Sequence, residues 1–538
     1  MALWNLAKKK ILIVDDFPEM RSLLRSMVTA YGATDIEQAV NGEEAVRVMA
    51  SGRFDIVLCD YNLGDGKDGQ QVLEEAKYRG LLPGSTCFVM VTAESTSQMV
   101  MGALEYQPDG YISKPVTKVV LQARLKKLLE KKDSFREISK LLDRKQYDKV
   151  AELCDRYIEN GSKYRTELLK IKSDVLIKTG AYDRAMELCT GVVAERELAW
   201  AMFDIGRVRY HRQQYRQAVE SFSAIIAHNS AYVAAYDWLA RAQERLGDSV
   251  SAQTTLVEAI GRSSKSLLRL RALADVAEKN EDYEVTETAR RKAIRVGKAS
   301  VLRQPADYRK LAKTLVRNNS AKDALKVVES IRYEFRDDPQ AELEAATVHS
   351  HIYSALGNDK ASGEMLEKAV ELAAGNPGLV SADVGIDLAQ ACLAHGRKAE
   401  ANDFIRSVVK NHHDNEDILG RITRLYGEVG ERQEVEALIE NTRSEIVKIN
   451  NDGVKLLKDG KVQESIELFT RAARGMPQNP IINLNAAQSL IRKMKQSRPT
   501  SDSLDEALSY IRAAGNSDAH QERQSRLLAE CRELSACL

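Results

Sequence analysis

From residue 134 onward the chain repeats itself, and no other feature limits its fold as much. One pattern recurs: a turn, often glycine, then an aromatic or polar residue, then a small residue opening the next helix. It reads KTGAYDRA at 178–185, RQQYRQA at 212–218, RLGDSVSA at 245–252 and KNEDYEVT at 279–286. It continues as ALGNDKAS at 355–362, AHGRKAEA at 394–401 and KDGKVQES at 458–465. The closing positions are Val150, Ala185, Ala218, Ala252, Thr286, Ala324, Ser362, Ala401, Val435, Ser465 and Ala507. Their spacings are 35, 33, 34, 34, 38, 38, 39, 34, 30 and 42 residues. A period near 34 made of two helices implies stacked hairpins, each burying its apolar face on the next.

Up to about Lys131 the pattern is different. Lys10–Val14 is a short apolar run, ended by Asp15-Asp16 and followed by a helical stretch from Pro18 to Ala30. Similar runs recur at Phe54–Cys59, Thr86–Val91 and Asp109–Ile112, with a weaker one near Ile36–Val40. Amphipathic segments lie near 42–50, 69–79, 96–106 and 117–131. Buried runs alternating with helices predict a parallel sheet with helices on both faces.

Composition narrows the function classes. Of 538 residues, 44% are apolar and 29% charged, as in a folded chain. Lysine plus arginine is 79 against 78 acids, a net charge of +1, which argues against nucleic acid as a partner. The seven cysteines (59, 87, 154, 189, 392, 531 and 537) are scattered, with no CxxC pair, and read as reduced thiols. No apolar run approaches the ~18 residues of a membrane span. The expectation is a soluble, cytoplasmic protein without membrane insertion.

The strand ends of the first region carry chemistry. Asp15 and Asp16 follow the first strand, Asp60 the third and Thr92 the fourth, while Lys114-Pro115 comes just past the fifth. In an open parallel sheet these ends face one crevice. Three acids there repel unless a cation sits among them, and an oxygen-rich cluster suits Mg²⁺. A lysine and a hydroxyl at the rim suit a transferred phosphoryl group. Singly, each residue has a plain role as helix cap, strand end or turn. Together, each at the end of its own strand, they describe a site.

This constellation resembles the receiver domain of bacterial two-component response regulators, over residues 8–131, in the ordered motifs ILIVDD, VLCDYNL, VTAES and ISKP. The resemblance implies an α/β doubly wound, five-stranded parallel sheet of flavodoxin-like type. It makes Asp60 the phosphoacceptor, and Asp15, Asp16, Asp60 and the backbone carbonyl of Asn62 the Mg²⁺ ligands. Thr92 becomes the switch hydroxyl, Tyr111 the switch aromatic and Lys114 the phosphate-binding cation, with Pro115 after a cis peptide. The implied partner is a sensor histidine kinase or a histidine phosphotransfer protein. The charged loop Gly64-Asp65-Gly66-Lys67-Asp68 departs from the usual proline-glycine turn.

The second region resembles the tetratricopeptide repeat, from 134 to about 515 with a closing helix near 521–536. The stretch Ile446 to Pro477 carries Gly453, Gly460, Ser465, Phe469, Ala472 and Pro477 at that family's offsets. The expected division is a receiver at 1–131 and an all-α solenoid of about ten repeats plus a capping helix at 134–538. In that family the first helix of each repeat lines a concave groove for a protein or peptide. On that register Phe203, Arg207, Tyr210, Asp237, Arg241 and Arg245 face inward, a set suited to an acidic peptide. From Thr117 to Tyr147 there is no proline or glycine, so one long helix or a tight joint links the two regions.

No Walker A, HExxH or GxSxG sequence is present, and no enzyme is expected beyond phosphoryl transfer onto and off Asp60. His349 and His351, two apart on a helix, point to different faces, and His412-His413-Asp414 reads as a solvated loop. The leading reading is a response regulator that controls protein–protein interactions. Two others stay open: a DNA-binding transcriptional regulator, and a peptide sensor with a vestigial receiver role.

Overall fold

A computed structural model describes residues 5–93, 107–497, 499–515 and 520–535. The first region contains β1 (Lys10–Val14), α1 (Pro18–Thr29), β2 (Asp35–Ala39), α2 (Gly42–Ser51), β3 (Ile56–Asp60), α3 (Gly69–Tyr78), β4 (Cys87–Thr92), β5 (Gly110–Ser113) and α4 (Lys118–Ser134). The helix expected near 96–106 lies outside the described residues, as do Met1–Trp4 and Cys537. All strand pairs are parallel, in the order β2-β1-β3-β4-β5.

Alternation along each strand decides what covers which face. Ile11 and Ile13 of β1, with Ile56, Leu58, Val89 and Val91, pack under Leu24 and Val28 of α1 and Leu121 and Leu125 of α4. Leu12 and Val14, with Val57, Cys59, Phe88 and Met90, pack under Val46 of α2 and Val72 and Leu73 of α3. The strand order reverses between β1 and β3, so their carboxyl ends open a crevice at that point.

The link to the second region is a tight joint rather than one helix. α4 ends at Ser134, Phe135 leaves helical geometry (φ −104°, ψ 12°), and α5 (Arg136–Asp143) follows at once. The Phe135 ring turns into the first apolar cluster beyond the receiver, edge-on to Tyr164 at 5.3 Å between centroids.

From Arg136 on, the described residues hold helices and no strand. Compactness divides the chain at Gln304/Pro305. In both parts hairpins stack as the period predicts. Glycine permits the close approach within a hairpin: a Cβ on Gly206 would lie 2.6 Å from the Phe222 ring, and one on Gly453 would lie 2.3 Å from the ring of Phe469. One departure is the single helix Arg432–Lys458, 27 residues long, where the repeat pattern places a turn before Ile446. Nothing in ENTRSEIVKI breaks a helix, and Thr442 and Ile446 are buried along it. Among the described residues no helix is long and apolar enough to cross a membrane.

Candidate functional site

The crevice is built by two turns held in place by backbone contacts. The Phe17 N–H donates to Asp15 Oδ1 at 3.0 Å, while the Arg21 guanidinium donates to the carbonyls of Asp15 and Asp16 at 2.7 and 3.1 Å. The Tyr61 N–H donates to Asp60 Oδ1 at 2.7 Å. Lys114 reaches in from the end of β5, and its Nζ donates to Asp60 Oδ2 at 2.7 Å and Asp15 Oδ2 at 3.0 Å. The Lys114 N–H also donates to the Thr92 carbonyl at 2.8 Å, extending the β4–β5 ladder to the site. Asp15, Asp16, Asp60, Thr92 and Lys114 therefore lie together at the strand ends. The Lys114–Pro115 peptide is cis.

Charge is unbalanced here. Carboxylate oxygens of Asp15, Asp16 and Asp60 lie within 4.8 Å of one another, against one ammonium. Burial pushes the Asp60 carboxyl above its ordinary range, although the bond and charge of Lys114 oppose it. Burial likewise opposes the charge on Lys114, but the bonds to Asp60 and Asp15 outweigh it and hold the ammonium up. Asp16 Oδ1 is buried without a hydrogen-bond partner. A hard divalent cation taking oxygen ligands suits this donor set and satisfies that atom. Asn62 stands exposed in the turn after β3, two residues from Asp60.

The switch positions are placed differently from each other. Thr92 is buried at the end of β4. Tyr111 is half-buried on β5 against the cluster that holds Tyr61, and its hydroxyl is buried without a partner. Burial raises that hydroxyl's pKa well above its ordinary value. Glu94 and Ser95, the end of the VTAES motif, lie outside the described residues.

The groove residues do share a surface, but they are largely occupied by one another. They sit on the neighbouring helices Ala199–His211 and Val233–Arg245. Tyr210 is buried and accepts from Arg245 Nε at 3.4 Å. Arg207 pairs with Asp204 at 3.0 Å and Asp174 at 3.3 Å. Asp237 is held by a fork from Arg269, whose Nε donates to Oδ1 at 2.7 Å and Nη2 to Oδ2 at 2.8 Å, and so adds no open negative charge to the groove. The hub is Trp238, a residue outside the set expected from the sequence. Phe203 meets it edge-on, and the Arg207 and Arg241 guanidinium groups lie 5.7 and 5.1 Å from its ring centroid. The i, i+3 spacing of Trp238 and Arg241 was the available signal.

Comparison with known proteins agrees with this geometry. Residues 11–126 match the family described as response regulator receiver domain, and residues 203–266 and 343–376 match tetratricopeptide repeat families. The chain is 33% identical over 122 residues to the chemotaxis protein CheY of Pseudomonas aeruginosa, covering 23% of this chain and 97% of that protein. It is also 33% identical over 128 residues to the chemotaxis protein CheY-3 of Vibrio cholerae, covering 23% and 92%. A solved receiver domain protein (CheY-like) from Methanospirillum hungatei is 28% identical, covers 23% of this chain and 97% of its own, and has a TM-score of 0.22. The chain belongs to the response regulators, with a receiver domain followed by tetratricopeptide repeats.

Proposed function

We propose that this response regulator is a phosphorylation-controlled adaptor. The observation that carries the reading is Lys114 Nζ placed 2.7 Å from Asp60 and 3.0 Å from Asp15 in a pocket of three carboxylates. A carboxylate oxygen of Asp60 attacks the phosphorus of a phosphohistidine on a sensor kinase or phosphotransfer protein. The P–O bond forms as the P–N bond breaks, and the leaving imidazole keeps the electron pair and takes a proton. Asp15, Asp16 and Asp60, with the Asn62 carbonyl, would hold Mg²⁺, which supplies positive charge against the phosphoryl oxygens. Lys114 transfers its hydrogen bond from Asp60 to the phosphoryl group, and the Thr92 hydroxyl donates to it from the opposite side. Tyr111, whose hydroxyl has no partner to lose, fills the space behind Thr92. The repeats then present their concave surface to a protein or peptide. No reaction is proposed beyond phosphoryl transfer onto and off Asp60. Among the described residues six buried free thiols support placing the protein in the cytoplasm.

The test is direct. Acetyl phosphate with Mg²⁺ labels the wild type on one aspartate, and Asp60→Asn abolishes the label. Label that persists in Asp60→Asn, or that forms without a divalent metal, overturns the assignment.

A further inference from the structure

The N-terminal cap of α3 faces two ways. Asp68 Oδ1 accepts the Gln71 N–H at 2.9 Å, and Gln71 Oε1 accepts the Asp68 N–H at 3.0 Å, a reciprocal capping box. Each side chain then turns its remaining polar atom to the repeats. Asp68 Oδ2 accepts from Lys265 Nζ at 2.9 Å, and Gln71 Nε2 donates to the Val296 carbonyl at 3.0 Å. One turn further along α3, buried Glu74 accepts from Ser300 Oγ at 2.7 Å. The Lys265 ammonium also lies 5.0 Å from the centroid of the Tyr61 ring, next in sequence to Asp60. Lys265 belongs to the loop between helices Ser249–Arg262 and Leu267–Lys279, and Val296 and Ser300 flank the end of helix Tyr283–Gly297.

The same cap rests on the phosphoacceptor. The Gly69 N–H donates to the Tyr61 carbonyl at 2.8 Å. A Cβ on Gly69 would lie 2.1 Å from the Asp60 carbonyl oxygen, so the start of α3 touches the Asp60 backbone with no side chain between. At its other end the β3–α3 loop passes the acid pair, where a Cβ on Gly64 would lie 3.7 Å from Asp16 Oδ2.

We propose that the repeats at 263–300 read the state of Asp60 through the capping box of α3, with Lys265 as the positioning residue of that clamp. This rests on the phosphorylation of Asp60 proposed above. The clamp is polar and borders a crevice of about 270 Å³ lined by Asp68, Gln70, Glu74, Lys265, Leu267 and Ser300. Contacts of this kind resemble those of a transient interface. They fit the loop as it stands with Lys114 on a free Asp60. A phosphoryl group draws Lys114 away and, because it takes the place of the carboxylate's own charge, adds about one negative charge at the loop's root. The clamp therefore favours the unphosphorylated loop, and by reciprocity phosphorylation loosens the clamp.

Hydrogen exchange on the full chain, with phosphate uptake followed by intact mass, tests this. In the wild type, acetyl phosphate with Mg²⁺ lowers protection across 69–78 and 263–300. Lys265→Ala shows that lower protection without phosphate and reaches a given phosphorylated fraction at about one-fifth of the acetyl phosphate or less, the low end for coupled sites. Ser300→Ala, a smaller change, moves both readouts the same way. Phosphorylated wild type with unchanged protection at 263–300 overturns the clamp, as does a Lys265→Ala protein that takes up phosphate like the wild type. No phosphate on either protein overturns the reading of Asp60 itself, and the mass measurement separates the two failures.

Discussion

Two clusters of buried charge sit in this chain, one in the receiver and one among the later repeats, and they are built on opposite terms. The receiver pocket sets one ammonium against Asp15, Asp16 and Asp60. In the repeats, buried Arg309 bonds Glu344 and Asp387, Lys313 bonds Asp387, and Arg309, Lys310 and Arg421 surround Asp383. That is four cations for three carboxylates. Both clusters contain a buried carboxylate oxygen without a partner, Asp16 Oδ1 and Glu344 Oε1, so an orphaned atom alone does not mark a site. The sign of the leftover charge does. Burial drives Asp60 upward past what Lys114 can offset and likewise raises Glu344 past what Arg309 offsets, whereas for Asp387 the cations outweigh burial and hold it down at about 2. An acidic surplus invites a cation and a phosphoryl group; a compensated cluster holds helices together.

The sharpest way to break this contrast is to remove the central cation of the repeats. Arg309→Ala leaves Glu344 and Asp387 facing each other in the interior and lowers stability by about 3–5 kcal/mol in urea denaturation. A loss under 1 kcal/mol would mean the cluster is hydrated rather than closed.

The same substitution should act with opposite sign in the two places. Asp387→Asn removes a carboxylate whose folded pKa is about 2 against an ordinary 3.8, and lowers stability at neutral pH by about 2 kcal/mol. Its contribution is present above pH 3.8 and is lost as pH falls towards 2. Asp60→Asn removes a carboxylate whose folded pKa is raised and which the fold therefore disfavours in its charged form. Its stability, measured without Mg²⁺, stays level or rises. Equal losses at both positions would defeat the comparison.

A second pH-dependent effect, confined to mildly acid conditions, comes from His351, whose Nε2 lies 3.0 Å from the Asp387 carbonyl. Burial, with the charge of Lys313, lowers it to about 4 from an ordinary 6.5. Between those values the unfolded chain binds the proton first, so stability falls as pH drops from 6.5 to 4, by about 3 kcal/mol. His351→Gln flattens that slope in a pH series of melting curves. An unchanged slope would assign the acid sensitivity to the carboxylates alone.

The sequence by itself determined the parts of this protein that depend on short-range order. Apolar runs place each strand to within two residues, and the functional side chains sit at strand ends, so a parallel sheet brings Asp15, Asp60 and Lys114 together whatever the loops do. The helical period likewise survives 38- and 42-residue spacings, because each hairpin needs only its neighbour to bury its face. Tertiary structure alone decided the rest. Lys265 and Asp68 are 197 residues apart and no period relates them. Asp237 reads as an open groove acid until the next repeat brings Arg269 against it. Arg309 and Asp387, 78 residues apart, look like surface charges on separate helices until stacking buries both. Such contacts depend on how far each hairpin rotates on the last. That angle is the sum of many small side-chain packings, and no single residue announces it.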